Sequence, residues 1–291
     1  MRDFDYVAPG SLAEAVDLLA RHNEAARLLA GGTDLIDHVR TGRLSPDLLI
    51  DAKRIPELNV LELTRDGLRL GAAVPCHRVY EDAGIAETYS ALVDSCRIIG
   101  GIQIQSRASV GGNLCNSGPA ADCTPSLIAL EAVCVISGPA GTREVPVEDF
   151  CVAPGRNVLR PGQLLVELRF PPRSPGSGSH YRRFIPRNEM DIAVVGVGAS
   201  VALDERGETI REARIGLGAV APTPLYAEEA SQLLIGKRAS DEVFAQAAEA
   251  ARRVVRPIDD MRGTIEFRTH VTGVLVERVL REAVQRAKGL R

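Results

Sequence analysis

Apolar positions recur at helical spacing in "SLAEAVDLLARH", where Ser11 and Glu14 form a capping box, and the pattern predicts a helix from about Ser11 to His22. The next run, "ARLLAGGTDL", reads as a short apolar strand broken by Gly31 and Gly32. A helix is expected from Asp34 and a strand over "DLLIDAKRI", which makes an opening αβαβ unit. Alternation returns in "GLRLGAAV", Gly67 to Val74. Cys76 begins a more helical segment through "AETYSALVDSCRIIG" that stops at Gly100 and Gly101. Further on, "LIALEAVCVISG", "TREVPVEDF" and "QLLVELRFP" predict three strands, the last ending before Pro171 and Pro172.

The run "PPRSPGSGS", Pro171 to Ser179, has linker composition, and the main boundary is expected there. This divides the chain into a first domain over 1–172 (subdomains about 1–55 and 56–172), a linker over 173–179 and a second domain over 180–291. In the second domain "DIAVVGVGASVAL" and "IREARIGLGAVAPTPLYA" predict strands of an antiparallel sheet. Ser240 can cap a helix over "DEVFAQAAEAARRVV", and "TIEFRTHVTGVLVERVLREAVQRA" carries its apolar positions along one face. The expected class is α+β, sheets with helices laid on them.

Composition narrows the function classes. A net charge of −3 with a quarter of the 291 residues charged gives neither the basic excess of a nucleic-acid binder nor an acidic tail. The N-terminal "MRDFDYVAPGSLAEAV" places acids where a signal peptide carries basic and then apolar residues, and no apolar run is long enough to span a bilayer, so a cytoplasmic location is expected. The six cysteines (Cys76, Cys96, Cys115, Cys123, Cys134, Cys151) contain no C-x-x-C pair, which argues against a zinc ribbon or a ferredoxin-like cluster and for small buried hydrophobes. The five histidines show no i, i+4 pairing, so no metal site is expected.

Candidate chemistry lies in two glycine pairs. In "LAGGTDL" the glycines let the backbone approach a ligand, consecutive amides can form a nest for phosphate oxygens, and Thr33 adds a hydroxyl; a tight strand-to-helix turn is the alternative. The stretch "RASVGGNLCNSGPAADCTPSL" supplies Gly111 and Gly112, preceded by Ser109 and followed by Asn113, Asn116 and Asp122, donors and acceptors suited to hydroxyl and phosphate groups. It reads either as an irregular surface loop or, between "IQIQSRASV" and the apolar "SLIALEAVCVI", as a loop held by buried elements. Neither pair matches a P-loop or a G-x-G-x-x-G fingerprint. Arg182, Arg183 and Arg187 could meet phosphate or a partner's carboxylates, but read first as a solvated, charge-balanced face.

The order "LAGGTDL", "ASVGGNLCNSGPAAD", "NEMDIAVVGVGASV" resembles the FAD-binding medium subunit of the molybdenum hydroxylases, the family of carbon monoxide dehydrogenase and xanthine dehydrogenase, over nearly the whole chain. The resemblance implies a vanillyl-alcohol-oxidase (PCMH)-type FAD-binding domain of two subdomains, followed by a C-terminal domain of antiparallel sheet and helices. It places Leu29, Ala30, Gly31, Gly32, Thr33, Asp34 and Leu35 in a first pyrophosphate loop. Ser109, Gly111, Gly112, Asn113, Asn116 and Asp122 fall in a second FAD loop. Leu168 and Arg183 match further cofactor contacts, Arg183 where xanthine dehydrogenase has a lysine, and Asp191 and Ile192 match the segment near the isoalloxazine. Ile192 stands where the carbon monoxide dehydrogenase subunit has a tyrosine, which leaves NAD open as acceptor. Cys115 stands where one branch of the family begins an iron–sulfur insertion that is absent here, so no cluster is expected in this chain.

The implied role is electron transfer. FAD takes electrons from the [2Fe-2S] clusters of a small subunit, fed by a molybdopterin-bearing large subunit, and passes them to NAD, a quinone or oxygen, in a heterotrimer or a dimer of heterotrimers. On that reading no side chain of this chain is an acid–base catalyst; the site residues hold the cofactor. Two other readings stay open: a stand-alone FAD-dependent oxidoreductase of the same superfamily, and a structural subunit that has lost its flavin.

Overall fold

The computed structural model describes residues 2–187 and 189–289. Asn188, the first residue of "NEMDI", lies outside them. The chain begins with a short strand that the apolar pattern did not predict, β1 (Asp5–Val7), then α1 (Leu12–His22), β2 (Ala26–Leu29), α2 (Leu35–Arg40) and β3 (Leu48–Asp51). The Ser11 hydroxyl accepts from the Glu14 amide at 3.3 Å, and Glu14 accepts from the Gly10 amide at 3.1 Å, so the expected cap closes α1. β3 pairs in parallel with β1 on one side and β2 on the other, and it is buried along its whole length, as the middle strand of a covered parallel sheet must be.

The second group consists of β4 (Leu61–Thr64), β5 (Gly67–Gly71), α3 (Cys76–Glu81), α4 (Ala83–Thr88), α5 (Ser90–Cys96), α6 (Ile102–Gln105), α7 (Val110–Asn116), α8 (Cys123–Ala129), β6 (Val133–Gly138), β7 (Gly141–Pro146), β8 (Cys151–Ala153), β9 (Arg156–Asn157) and β10 (Leu164–Phe170). Five of these strands form an antiparallel sheet in the order β4-β5-β10-β6-β7. Its core holds Leu68, Leu92, Leu114, Leu127 and Phe150 with the four buried cysteines Cys76, Cys96, Cys123 and Cys134.

Several local expectations change here. "IQIQ" alternates in sequence but forms the short helix α6. Ile102 is exposed, while Gln105 turns inward and donates to the Arg97 carbonyl at 2.7 Å. The stretch read as a loop is two short helices, α7 and α8. Leu127–Ala129, expected in a strand, belongs to α8, and β6 starts only at Val133, after a left-handed turn at Glu131 (φ 59°).

The last group comprises β11 (Ser177–Phe184), β12 (Val195–Leu203), β13 (Ile210–Gly218), β14 (Leu225–Tyr226), α9 (Glu228–Gln232), α10 (Asp241–Val254) and α11 (Ile265–Ala287). Ser177–Ser179, read as linker from its small polar residues, is already strand: Gly178 and Ser179 are buried against α11 and α5, where only small side chains fit. The four strands form an antiparallel sheet in sequence order. β12 is buried at every position because α11 covers one face and α8 the other. Ser240 caps α10 as expected, accepting from the Val243 amide. Where α8 meets the sheet, the Pro125 backbone sits in a slot made by Gly198 and Gly216, which face each other across β12 and β13. No helix of the described residues is long and apolar enough to cross a membrane.

Candidate functional site

The two glycine pairs, remote in sequence, meet in space. A Cβ at Gly31 would overlap the Arg107 carbonyl, so the β2–α2 loop can lie directly on the segment entering α7 only if residue 31 has no side chain. Gly32 then turns left-handed (φ 75°), and its carbonyl accepts from the Ile36 amide at 3.0 Å to start α2.

The second pair shares only the packing role of its first glycine. Gly111 packs on Ala72 after β5, where a Cβ would come within 2.5 Å of the backbone. Gly112 faces open space apart from Ser109 Oγ, which caps α7 by accepting its amide at 3.0 Å. Asn113 Oδ1 accepts from the Cys123 amide at 3.1 Å and ties α7 to α8.

Between the loops lies a cavity of about 660 Å³, within the size range of about 300–1,000 Å³ common for small-molecule sites. Ala30, Gly31, Gly32, Thr33, Asp34, Leu35, Ser109, Gly111, Gly112, Asn113 and Asn116 line it. Sequence reasoning missed three further parts of its wall. Ile99, just before the glycines that end the α5 segment, adds an apolar surface; so do Leu164 and Leu165 at the start of β10; and an arch over residues 155–163 carries Arg156 and Arg160. The apolar pair of "RIIGG", ending at a glycine pair, was the one available signal for Ile99.

The remaining predicted residues lie elsewhere. Leu29 ends β2, and its side chain reaches toward Gly32 from behind the loop. Leu168 is fully buried in the five-stranded sheet, opposite Leu70 and Cys134, so its side chain is a core residue; the leucines of β10 at the cavity are Leu164 and Leu165. Asp191 accepts from the Arg187 amide at 3.2 Å and from the Ile192 amide at 2.9 Å in an exposed turn, and Ile192 is half-exposed.

Asp122 and Arg183 meet each other. Arg183 Nη1 donates to Asp122 Oδ2 at 2.6 Å, and the Tyr181 hydroxyl donates to Oδ1 at 2.9 Å. Arg183 therefore does not belong to a solvated face: its side chain is 6% exposed, drawn in by a buried carboxylate. Burial pushes the Asp122 carboxyl up to about 6, against the pull of the Arg183 charge and both hydrogen bonds, and it is ionised at neutral pH. A second hollow, of about 780 Å³, lies beyond Arg183 and is lined by Asp94, Arg97, His180 and Arg182. It contains neither glycine pair.

Amide donors from two glycine turns, guanidinium groups at the rim and an apolar wall suit an elongated ligand with an anionic middle and a flat apolar part. Among the described residues no cluster of His, Cys, Asp and Glu could hold a metal ion.

Family models and relatives match nearly the whole chain. The family described as "FAD binding domain in molybdopterin dehydrogenase" matches residues 2–173, and "CO dehydrogenase flavoprotein C-terminal domain" matches residues 179–283. The chain is 32% identical over 280 residues to the carbon monoxide dehydrogenase medium chain of Hydrogenophaga pseudoflava, covering 96% of each. It is 33% identical over 293 residues to a putative xanthine dehydrogenase FAD-binding subunit of Escherichia coli, covering 99% of each. A solved structure of the Hydrogenophaga carbon monoxide dehydrogenase superposes with a TM-score of 0.93 over 98% of both chains at 32% identity. Quinoline 2-oxidoreductase from Pseudomonas putida gives 0.90 over 98% of both chains at 28% identity.

Proposed function

The chain belongs to the FAD-binding medium subunits of the molybdenum hydroxylases, oxidoreductase subunits of the carbon monoxide and xanthine dehydrogenase kind, and from this premise we propose that it is the electron-exit subunit of such a complex. The observation that carries the proposal is the contact of Gly31 with the Arg107 backbone, which makes one cavity of two glycine turns.

The residues fit FAD. Gly112 keeps the second loop free of a side chain where a diphosphate must come close, Gly32 supplies the left-handed turn of the first loop (φ 75°), and Ser109 fixes the turn that presents the α7 amides. Thr33, Asn113 and Asn116 add hydrogen-bonding groups along the same wall, and Ile99, Leu164 and Leu165 offer apolar contact to a ring. Asp122 and Arg183 pair with each other outside that cavity, Asp122 held also by Tyr181 and Arg183 bordering the second hollow. Asp191 and Ile192 are the segment we assign to the isoalloxazine end. Bound FAD supplies the exchange between single-electron donors and a two-electron acceptor. The chain's own work is to hold and orient that group.

On this reading the chain has an FAD-binding domain through residue 172 and a C-terminal domain that starts with β11 at Ser177, with a short connection between them. The donor is a small subunit carrying [2Fe-2S] clusters, itself served by a large molybdopterin subunit, in a heterotrimer or a doubled one; NAD, a quinone or oxygen accepts the electrons. The six cysteines, all unpaired, suit a reducing compartment, and the cytoplasm is the location we propose.

Purified chain should take up FAD, with absorbance near about 450 nm, and co-purify with cluster- and molybdenum-bearing partners when they are expressed together. Oxidation of a small organic substrate at full rate by the FAD-loaded chain alone would refute the subunit reading.

A further inference from the structure

The cavity has a third wall that no glycine motif announces. After β8 the chain forms an arch over residues 155–163 that spans the opening from α7 to α1. At one end the Gly155 amide donates to the Ser117 carbonyl at 2.9 Å, and Asn157 Nδ2 donates to the Cys115 carbonyl at 2.9 Å. Both acceptors lie at the C-terminal end of the helix whose first turn carries Gly111 and Gly112. In the middle, Gln163 Oε1 accepts from the Arg160 amide at 3.1 Å and from Arg143 Nη2 at 3.0 Å, and Arg143 also holds the Val158 carbonyl at 2.8 Å. At the other end Gly162 turns left-handed (φ 77°) against Ala20 of α1. The arch is thus fixed to the same short helix as the second glycine loop.

Charge completes the argument. The cavity is lined by two carboxylates, Glu24 and Asp34, and three arginines, Arg27, Arg156 and Arg160. Arg27 Nη1 is occupied by the Glu24 and Ala26 carbonyls, at 2.6 and 2.8 Å. Arg156 and Arg160 are exposed on the arch, and among the described residues neither lies within 4.0 Å of a carboxylate. Without this pair the ionised side chains around the cavity would be net negative, which opposes a diphosphate; with it they are net positive. Amide nests alone would have to overcome that repulsion.

We infer that the arch is a third cofactor-binding element, in which Arg156 and Arg160 neutralise the diphosphate held by the two glycine loops. The inference rests on FAD as the ligand of this cavity. Because the arch is already fixed by five hydrogen bonds, little ordering is needed when the ligand enters.

The test is a titration of the full apo chain with FAD, ADP and adenosine, for the wild type, R156Q/R160Q and R156K/R160K. Both positions are exposed, so the fold should survive substitution, and thermal melting checks it. The Gln pair should weaken FAD and ADP by roughly 10- to 100-fold, leave adenosine unchanged, and flatten the loss of FAD affinity between about 50 and about 300 mM NaCl. The Lys pair should recover most of the loss. Equal FAD affinity and salt dependence in wild type and Gln pair would overturn the role of the arch, as would a parallel loss of adenosine. A wild-type chain that fails to bind FAD would instead bring down the cofactor assignment on which the inference rests.

Discussion

Two places in this molecule use glycine to remove side chains, and they do so for opposite ends. At the seam between the five-stranded and four-stranded sheets, Gly198 and Gly216 receive the Pro125 backbone, and the space is filled by protein. At the cavity, Gly112 has only the Ser109 hydroxyl within 4 Å of where its Cβ would stand, and the space is left open. Gly31 and Gly111 belong to the first kind although they sit in the cavity loops: each packs on another backbone and so builds the wall. A glycine pair in sequence is therefore ambiguous residue by residue, and only the atom that a Cβ would meet tells packing from access.

The largest effect should come from the charged part of the seam. Arg183→Met leaves Asp122 buried with Tyr181 as its remaining partner, and loss of one member of a buried pair costs about 3–5 kcal/mol. In the wild type, burial raises the Asp122 carboxyl from 3.8 to about 6 in the folded chain. Its contribution to stability is therefore complete below the unfolded value and is lost as pH rises through about 6. Without the Arg183 cation that value should climb further. Denaturant melts of the variant should show a penalty that is large near about pH 8 and shrinks toward about pH 5. A penalty independent of pH would mean that Arg183 acts by packing alone. Adding Asp122→Asn should recover part of the loss, because no buried charge is then left unpaired.

Next in size is the apolar part of the seam. Gly216→Ala forces a methyl group onto the Pro125 carbonyl, an overpacking that typically costs about 1–3 kcal/mol. The chain should melt several degrees lower yet bind FAD with unchanged stoichiometry. Loss of FAD in step with the melting temperature would erase the distinction between seam and cavity.

Much of this arrangement was legible in the sequence, and the failures have physical causes. The caps at Ser11 and Ser240 and the antiparallel pairing of β12 with β13 follow from local rules that tertiary contacts did not overturn. The cavity leucines did not. β10, "LLVELRF", is buried on both faces, so it shows no alternation to say which leucine faces a ligand, and a register shift between Leu165 and Glu167 changes which side chains share a face. The resemblance puts Leu168 among the cofactor contacts; the leucines of β10 that line the cavity are Leu164 and Leu165. The Asp122–Arg183 pair was hidden for a different reason: the two side chains meet through tertiary packing, and the arginines of "YRRF" taken alone look like a solvated, charge-balanced face. The arch has almost no regular structure and therefore no period to read.

Within the first loop, Gly31→Ala should show both kinds of effect at once. The new methyl group must push the loop off the Arg107 backbone, at a cost of about 1–3 kcal/mol. Because the same contact makes one cavity of the two turns, FAD affinity should fall with it. Calorimetric melting and FAD titration on the same sample measure both. A destabilised variant that binds FAD like the wild type would show that the contact is structural only.

The smallest effect on stability, and the sharpest test of the comparison, belongs to Gly112→Ala. Gly112 lies in the first turn of α7, where alanine is favoured over glycine by about 0.8–1.0 kcal/mol. The added Cβ would stand 2.9 Å from Ser109 Oγ and displace the hydroxyl that caps the helix, a loss of about 1 kcal/mol. The two terms nearly cancel, so the apo chain should melt within a degree or two of the wild type. The methyl group then projects into the cavity, where a diphosphate must approach the backbone, and FAD binding should weaken by at least about tenfold, or about 1.4 kcal/mol. The stabilisation that FAD gives the wild type in a thermal melt should fall in proportion. If Gly112→Ala instead lowered stability and left FAD affinity intact, Gly112 would be a packing glycine like Gly111, and the diphosphate would have to lie elsewhere along the cavity.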